Sequence, residues 1–145
     1  DWTTVVPEEF SFSCNGGRAF SLKEVIAKGT YNVLMDECPF YDSNTETYDT
    51  AHHSFRSCFP GGFAWELLEI LSGPPKVTFL WRHFADWAGN YKDIKPDGKP
   101  IEMRGVAIAT LADNVEGIKM RKLEIYYDPN PIMARMAGNC PVKKM

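Results

Sequence analysis

The sequence predicts an α+β fold, with helices laid on one face of an antiparallel sheet. Three features carry that reading. Residues up to about 60 show helical spacing of apolar side chains behind a capping signature. From Phe63 onward the pattern alternates between apolar and polar. Turn residues then separate the alternating runs at hairpin intervals.

The elements follow in order. Residues 8–14 (EEFSFSC) alternate and run into Asn15-Gly16-Gly17, which suggests a short edge strand and a turn. Ser21 reads as a helix N-cap, and Glu24 three residues on completes a capping box. Leu22, Val25, Ile26, Val33 and Leu34 predict a helix over 22–36, with Gly29 as a point of weakness. Pro39 stops it. Tyr48, Ala51, Phe55 and Cys58 share a stripe, so a second helix is expected over 45–58, ended by Pro60-Gly61-Gly62.

Phe63–Leu71 is a strand candidate, although Glu66-Leu67-Leu68-Glu69 also fits a helix. Between Lys76 and Phe84, Val77, Phe79, Trp81 and His83 share one face, while Thr78, Leu80, Arg82 and Phe84 share the other. Pro96-Asp97-Gly98 is a turn, Pro100–Leu111 a further strand, Ala112-Asp113-Asn114 a turn, and Gly117–Asp128 the returning strand. On that last strand the apolar parity changes between Met120 and Leu123. A bulge near Arg121 accounts for the change, and so does burial on both sides. Pro129 and Pro131 end the strand, and 131–137 suits a short terminal helix.

The chain of 145 residues is the size of one domain, with a helical part at about 20–60, a sheet part at about 63–128 and a short tail. Its net charge is −3, and its basic clusters, Lys119/Arg121/Lys122 and Lys143/Lys144, read as solvated surface. Nucleic acid is therefore not an expected partner. No apolar run has the length of a transmembrane segment. The default compartment is the cytoplasm. Because the chain begins at Asp1 without a methionine, a processed organellar form, for example in a plastid, is the alternative. Cys14, Cys38, Cys58 and Cys140 contain no C-x-x-C pair, so buried thiols are expected rather than a zinc cage. His52 and His53 are adjacent on a helix and diverge by roughly 100°, so no metal site is expected there.

Phe59-Pro60, Trp81-Arg82-His83, Gly89, Pro96-x-Gly98-x-x-x-Glu102-x-x-Gly105-Val106, Glu124-x-Tyr126-Tyr127-Asp128 and Met136-Ala137-Gly138 resemble the SnoaL-like branch of the nuclear transport factor two-like superfamily. A longer ordered set resembles the plant pathogen-related proteins of that superfamily. It runs through Ser11-x-Ser13-x-Asn15-Gly16, Lys23-Glu24-Val25, Tyr31-Asn32, Glu46-Thr47, Phe55-Arg56-Ser57-x-Phe59-Pro60, Gly62-Phe63-Ala64, Ser72-Gly73-Pro74-Pro75, Arg82-His83 and Tyr127-Asp128. The resemblance implies a cone: a strongly curved antiparallel sheet, long N-terminal helices packed across it, and a hydrophobic pocket inside. It also implies a homodimer, or a subunit of a larger complex, formed through the outer sheet face. It implies no single activity.

Two residues are candidates for chemistry. SnoaL-like cyclases place an acid/base aspartate near the closing motif, which here is Asp128. The turn-forming sequence Asp128-Pro129-Asn130-Pro131 offers the competing reading of a cap on the terminal helix. His83 lies among aromatics and suits an acid, a base or a hydrogen-bonding role, or simply a satisfied core histidine. Arg82 then points outward, toward Glu102. The cyclases' second histidine has no counterpart here, since Trp87 takes its place in Phe84-Ala85-Asp86-Trp87-Ala88-Gly89. Phe79, Trp81, Trp87, Tyr126 and Phe55 are the expected ligand-binding residues. A domain that binds a small apolar or aromatic molecule is the first reading. A cofactor-independent cyclase or isomerase using Asp128 and His83 is the second, and an accessory structural subunit is the third. No cofactor is required by any of them. Trp2 and Val5-Val6 suit a docking arm or packing on the domain itself.

Overall fold

The computed structural model describes residues 2–113 and 116–140. Asn114 of the expected turn and the Lys143/Lys144 pair lie outside them. In chain order the elements are β1 (Ser11–Cys14), β2 (Phe20–Ser21), α1 (Leu22–Lys28), α2 (Thr30–Leu34), α3 (Tyr48–Cys58), β3 (Ala64–Ile70), β4 (Lys76–Asp86), β5 (Pro100–Leu111), β6 (Met120–Tyr127) and α4 (Asn130–Met136). The strands form one curled sheet in the order β2-β1-β6-β5-β4-β3. No helix among the described residues is long and apolar enough to cross a membrane.

β3 to β6 are an antiparallel meander, as the alternation and turn residues predict. β1 differs from expectation. It lies inside the sheet and pairs parallel with β6, bordered by the two-residue β2. No tight turn joins β1 to β6, so hairpin geometry does not dictate their direction. The N-terminal segment continues this edge. Met120 N donates to the Thr4 carbonyl, Val6 N donates to the Met120 carbonyl, and Val5 is buried. Val5 therefore packs on the domain itself and is not part of a docking arm.

The parity change on β6 is a bulge. Thr110 pairs with Lys122 and Leu111 with Met120, which leaves Arg121 as the extra residue. Its guanidinium reaches Asp113 at 2.7 Å. A second register shift falls between Leu67 and Glu69. The β4 faces are those the alternation gives, and Arg82 points outward to Glu66 and Glu102 as anticipated.

The helical layer is shorter than long helices would make it. Ser21 and Glu24 form the capping box, but the helix breaks at Gly29, which has φ +89°. A Cβ there would also sit 3.0 Å from the Tyr48 ring. The break exposes backbone carbonyls that need donors. Asn32, fully buried, answers one of them: its amide donates to the Lys28 carbonyl at 2.7 Å and also reaches the Glu46 carbonyl, ahead of α3, at 3.2 Å. Tyr41 Oη donates in turn to Asn32 Oδ1 at 2.5 Å. One buried amide thus joins α1, α2 and the segment entering α3.

α3 begins at Tyr48 because Thr47 caps it together with Thr50. Ala51, Phe55 and Cys58 form its buried stripe, while Tyr48 is exposed. The turn after β4 lies tightly on the end of α3. The amides of Ala88 and Gly89 both donate to the Cys58 carbonyl, and a Cβ on Gly89 would fall 1.8 Å from the Ser57 oxygen. At the same end of the sheet, where Asp86 pairs with Pro100, Arg135 on α4 holds the 97–100 turn. It pairs with both Asp97 carboxylate oxygens at 2.6 and 2.5 Å and donates to the Lys99 and Pro100 carbonyls.

Candidate functional site

A cavity of about 420 Å³ lies between the concave sheet face and helices α2, α3 and α4. The sheet contributes Trp81, His83, Met103, Leu123, Ile125 and Tyr127 to its wall. The helices contribute Tyr31, Leu34, Phe55, Ile132, Met133 and Met136. Phe63 and Trp65 line its β3 side. Among the described residues, no Lys, Arg, Asp or Glu lines it.

Trp81 is the centre of the sheet wall. It is 4% exposed, and its ring lies 5.7 Å from Tyr127 and 5.8 Å from Trp65. Gly105 is its partner on β5. A Cβ on Gly105 would fall 2.4 Å from Trp81 Cζ2 and 2.4 Å from the Tyr126 carbonyl oxygen. The indole occupies the space a side chain on residue 105 would need. Trp81 Nε1–H is buried and has no acceptor among the described residues. Tyr127 Oη instead donates to the Leu34 carbonyl at 3.1 Å, joining the wall to α2.

His83 stacks on Phe63, with ring centroids 3.4 Å apart and planes 6° apart. Its Nδ1 is 2.8 Å from the Ala64 carbonyl oxygen. A carbonyl only accepts, so Nδ1 carries the proton, and the neutral ring presents Nε2 as a lone-pair acceptor. Burial pulls the His83 pKa below its usual 6.5 and outweighs the opposing effect of the Ala64 carbonyl.

The expected site residues divide. Phe55, Trp81 and His83 line the cavity, and Phe55 stacks on Tyr31 at 4.6 Å. Phe79 lies just beyond it, edge-on to Trp65. Trp87 is not on the wall. It is buried in the core beside α3 and α4, with the Arg135 guanidinium 5.5 Å from its ring. Tyr126 is on the outer sheet face and 39% exposed, because β6 parity turns Leu123, Ile125 and Tyr127 inward. Asp128 opens into an adjoining, more polar cleft of about 340 Å³ with Asn15, Arg18, Asp36 and Glu37, which shares Leu34, Tyr127 and Pro129 with the cavity. Its Oδ1 accepts from Asn130 N at 2.9 Å, the turn-capping geometry. His83 and Asp128 therefore face different cavities.

Sequence reasoning missed Tyr31, Phe63, Trp65 and Tyr127, and also Ile132, Met133 and Met136 of α4. The terminal apolar residues had a legible signal, since Ile132 and Met136 are spaced by one helical turn. Tyr31 and Phe63 had none, because each follows a chain break whose angle the sequence does not give.

The fold is SnoaL-like, as in a candidate SnoaL-like polyketide cyclase from Jannaschia, to which it is similar at a TM-score of 0.51 with 14% identity over 92% of this chain and 74% of that one. By TM-score it is similar at 0.57 to AclR, a candidate hydroxylase from Streptomyces galilaeus, at 13% identity over 97% of this chain and 70% of that one. IdmH, a candidate polyketide cyclase from Streptomyces antibioticus, superposes at 0.56 with 10% identity over 94% of this chain and 82% of its own. The chain is 29% identical to the pathogen-related protein of Hordeum vulgare, over 99% of this chain and 67% of the barley protein. No protein-family model matches the chain.

Two outcomes follow from the wall's construction. Gly105→Ala forces Trp81 or the β6 backbone to move, so denaturant unfolding should show a loss of about 1–3 kcal/mol and the tryptophan emission maximum should change. An unchanged midpoint and emission would refute the contact. The second concerns pH. With the folded His83 pKa below 6.5, its contribution to stability is present above pH 6.5 and is lost as pH falls through that window toward the folded value. His83→Asn keeps a donor for Ala64 without titrating. The wild type should lose more stability than this variant between neutral and mildly acid pH, and equal losses would contradict the assignment.

Proposed function

We propose that this chain is a binding domain for a small apolar or aromatic molecule, held between Trp81, His83 and the helices. The observation that carries the reading is the cavity itself: large enough for such a molecule, aromatic on several sides, and lined, among the described residues, by no Lys, Arg, Asp or Glu and by two histidines, His52 and His83. Water in such a space makes few hydrogen bonds, so an apolar occupant is favoured. The similarity to IdmH supports a fold suited to enclosing a ligand, at an identity that carries no activity across. The proton-transfer pair Asp128 and His83 is not assembled in one cavity, so binding is the better-supported reading than cyclisation or isomerisation by that pair.

Titration with the neutral fluorophore N-phenylnaphthylamine tests this. One saturable site is expected, and Met103→Trp, which adds volume to the wall, should weaken it about tenfold or more. Thr30→Phe, at an exposed lining position, is the control should Met103→Trp fold poorly. Absence of saturable binding would sink the reading.

A second copy of the chain fits the outer sheet face. Leu80, Val106, Ile108 and Tyr126 form an apolar band there by strand parity and pairing. The Arg82–Glu66, Arg82–Glu102 and Arg104–Glu102 pairs border it on one side, and Lys122–Glu124 lies on the other. An apolar centre with a rim of both signs is self-complementary across a twofold axis. Sedimentation equilibrium at micromolar concentration should give a dimer that Val106→Glu dissociates; a wild-type monomer would remove this proposal.

A further inference from the structure

The cavity's chemistry restricts its occupant further, and a strip beside it bears on length. Nε2 of His83 is a neutral acceptor at the wall, since Nδ1–H is committed to the Ala64 carbonyl. Trp81 Nε1–H is a buried donor with no acceptor among the described residues. Tyr127 Oη already donates to the Leu34 carbonyl. No lining side chain among the described residues is a fixed charge that could pair with a carboxylate or an ammonium. His52, exposed on α3, is the other imidazole of the lining, so a charged ligand would shed its water there for few polar partners. A neutral one with a hydroxyl would gain a hydrogen bond at His83.

The second observation is the uncovered end of the concave face. Leu67 pairs with Trp81 and Ile70 with Phe79 across β3 and β4, so both point to the side the cavity occupies. Yet they are 53% and 60% exposed, and Trp65, which lines the cavity, is 54% exposed. The apolar wall therefore continues out of the cavity along Trp65, Leu67 and Ile70, where no helix among the described residues covers it.

Resting on the binding-domain reading, we propose that the occupant is a neutral alcohol or phenol longer than the cavity. Its hydroxyl donates to His83 Nε2, and its apolar remainder leaves over Trp65, Leu67 and Ile70. The strip is the continuation of the ligand site, which gives these exposed side chains an occupant without requiring a protein partner.

Competition against bound N-phenylnaphthylamine at neutral pH tests both ends. Dodecanol should displace the fluorophore at about tenfold lower concentration than dodecyl methyl ether, which cannot donate. Dodecanoate should be weaker than dodecanol. His83→Leu should bring dodecanol and the ether to equal potency. Trp65→Ser with Ile70→Ser, both at exposed positions, should narrow the gap between dodecanol and hexanol. Equal potency of alcohol and ether on the wild type, a preference for dodecanoate, or a dodecanol–hexanol gap unchanged in the double variant would each overturn the proposal, while the binding domain would stand. Failure of the fluorophore itself to bind would remove both readings.

Discussion

The contact between the Trp81 indole and the backbone of Gly105 is the constraint on which the concave face depends. Gly105 sits between Trp81 on β4 and Tyr127 on β5's other neighbour, so one residue without a side chain serves both interfaces. The indole fills the space a Cβ would take and comes within reach of Trp65 and Tyr127. A larger residue at 105 would lift Trp81 into the cavity or push β6 away. Close packing leaves no third option. His83 follows two residues later on the same face, so the acceptor nitrogen inherits its placement from the same strand.

What covers this face is decided by backbone chemistry elsewhere. The helix that begins at Ser21 breaks at Gly29, and Asn32 answers one of the freed carbonyls from a fully buried position. Two short helices and α3 then roof the middle of the sheet, while α4 closes the end near Pro129. The β3 end stays open. A cavity continuous with an exposed apolar strip results from a helical layer shorter than the sheet it covers. The outer face follows a different rule, with ion pairs around an apolar band, and the two faces are suited to different partners.

Much of this was legible in the sequence because local rules set it. Ser21 with Glu24, the alternation from Val77 to His83 and the limits of β5 all follow from spacing a few residues long, and so does the parity change on β6, although spacing left a bulge and two-sided burial equally open. The fold class was likewise readable from the order of helical and alternating segments. The wall of the cavity was less so. Trp87 and Tyr126 look like pocket aromatics in one dimension, yet the turn after β4 carries Trp87 into the core beside Arg135. A parity shift of one residue, at Arg121, sends Tyr126 outward. Asp128 had two readings, acid/base or cap on the terminal helix, and its bond to Asn130 N is an Asx turn leading into α4, whose N-cap is Pro129. Tyr31, Phe63 and Trp65 reach the cavity through the angle at Gly29 and the curl of β3, and both of those are tertiary quantities.

The four tryptophans offer the most direct test of where a ligand sits. Trp65 and Trp81 line the cavity, Trp87 is buried in the core behind wall residues such as Phe55 and Met136 without lining it, and Trp2 lies near Phe10. Indole N–H resonances, assigned by single Trp→Phe substitutions, can be followed while N-phenylnaphthylamine is added to saturation. The structure predicts that the Trp65 and Trp81 signals move together along one binding curve while those of Trp2 and Trp87 stay in place. Movement confined to Trp2 or Trp87, or no movement at saturation, would contradict a ligand-binding cavity built on Trp81.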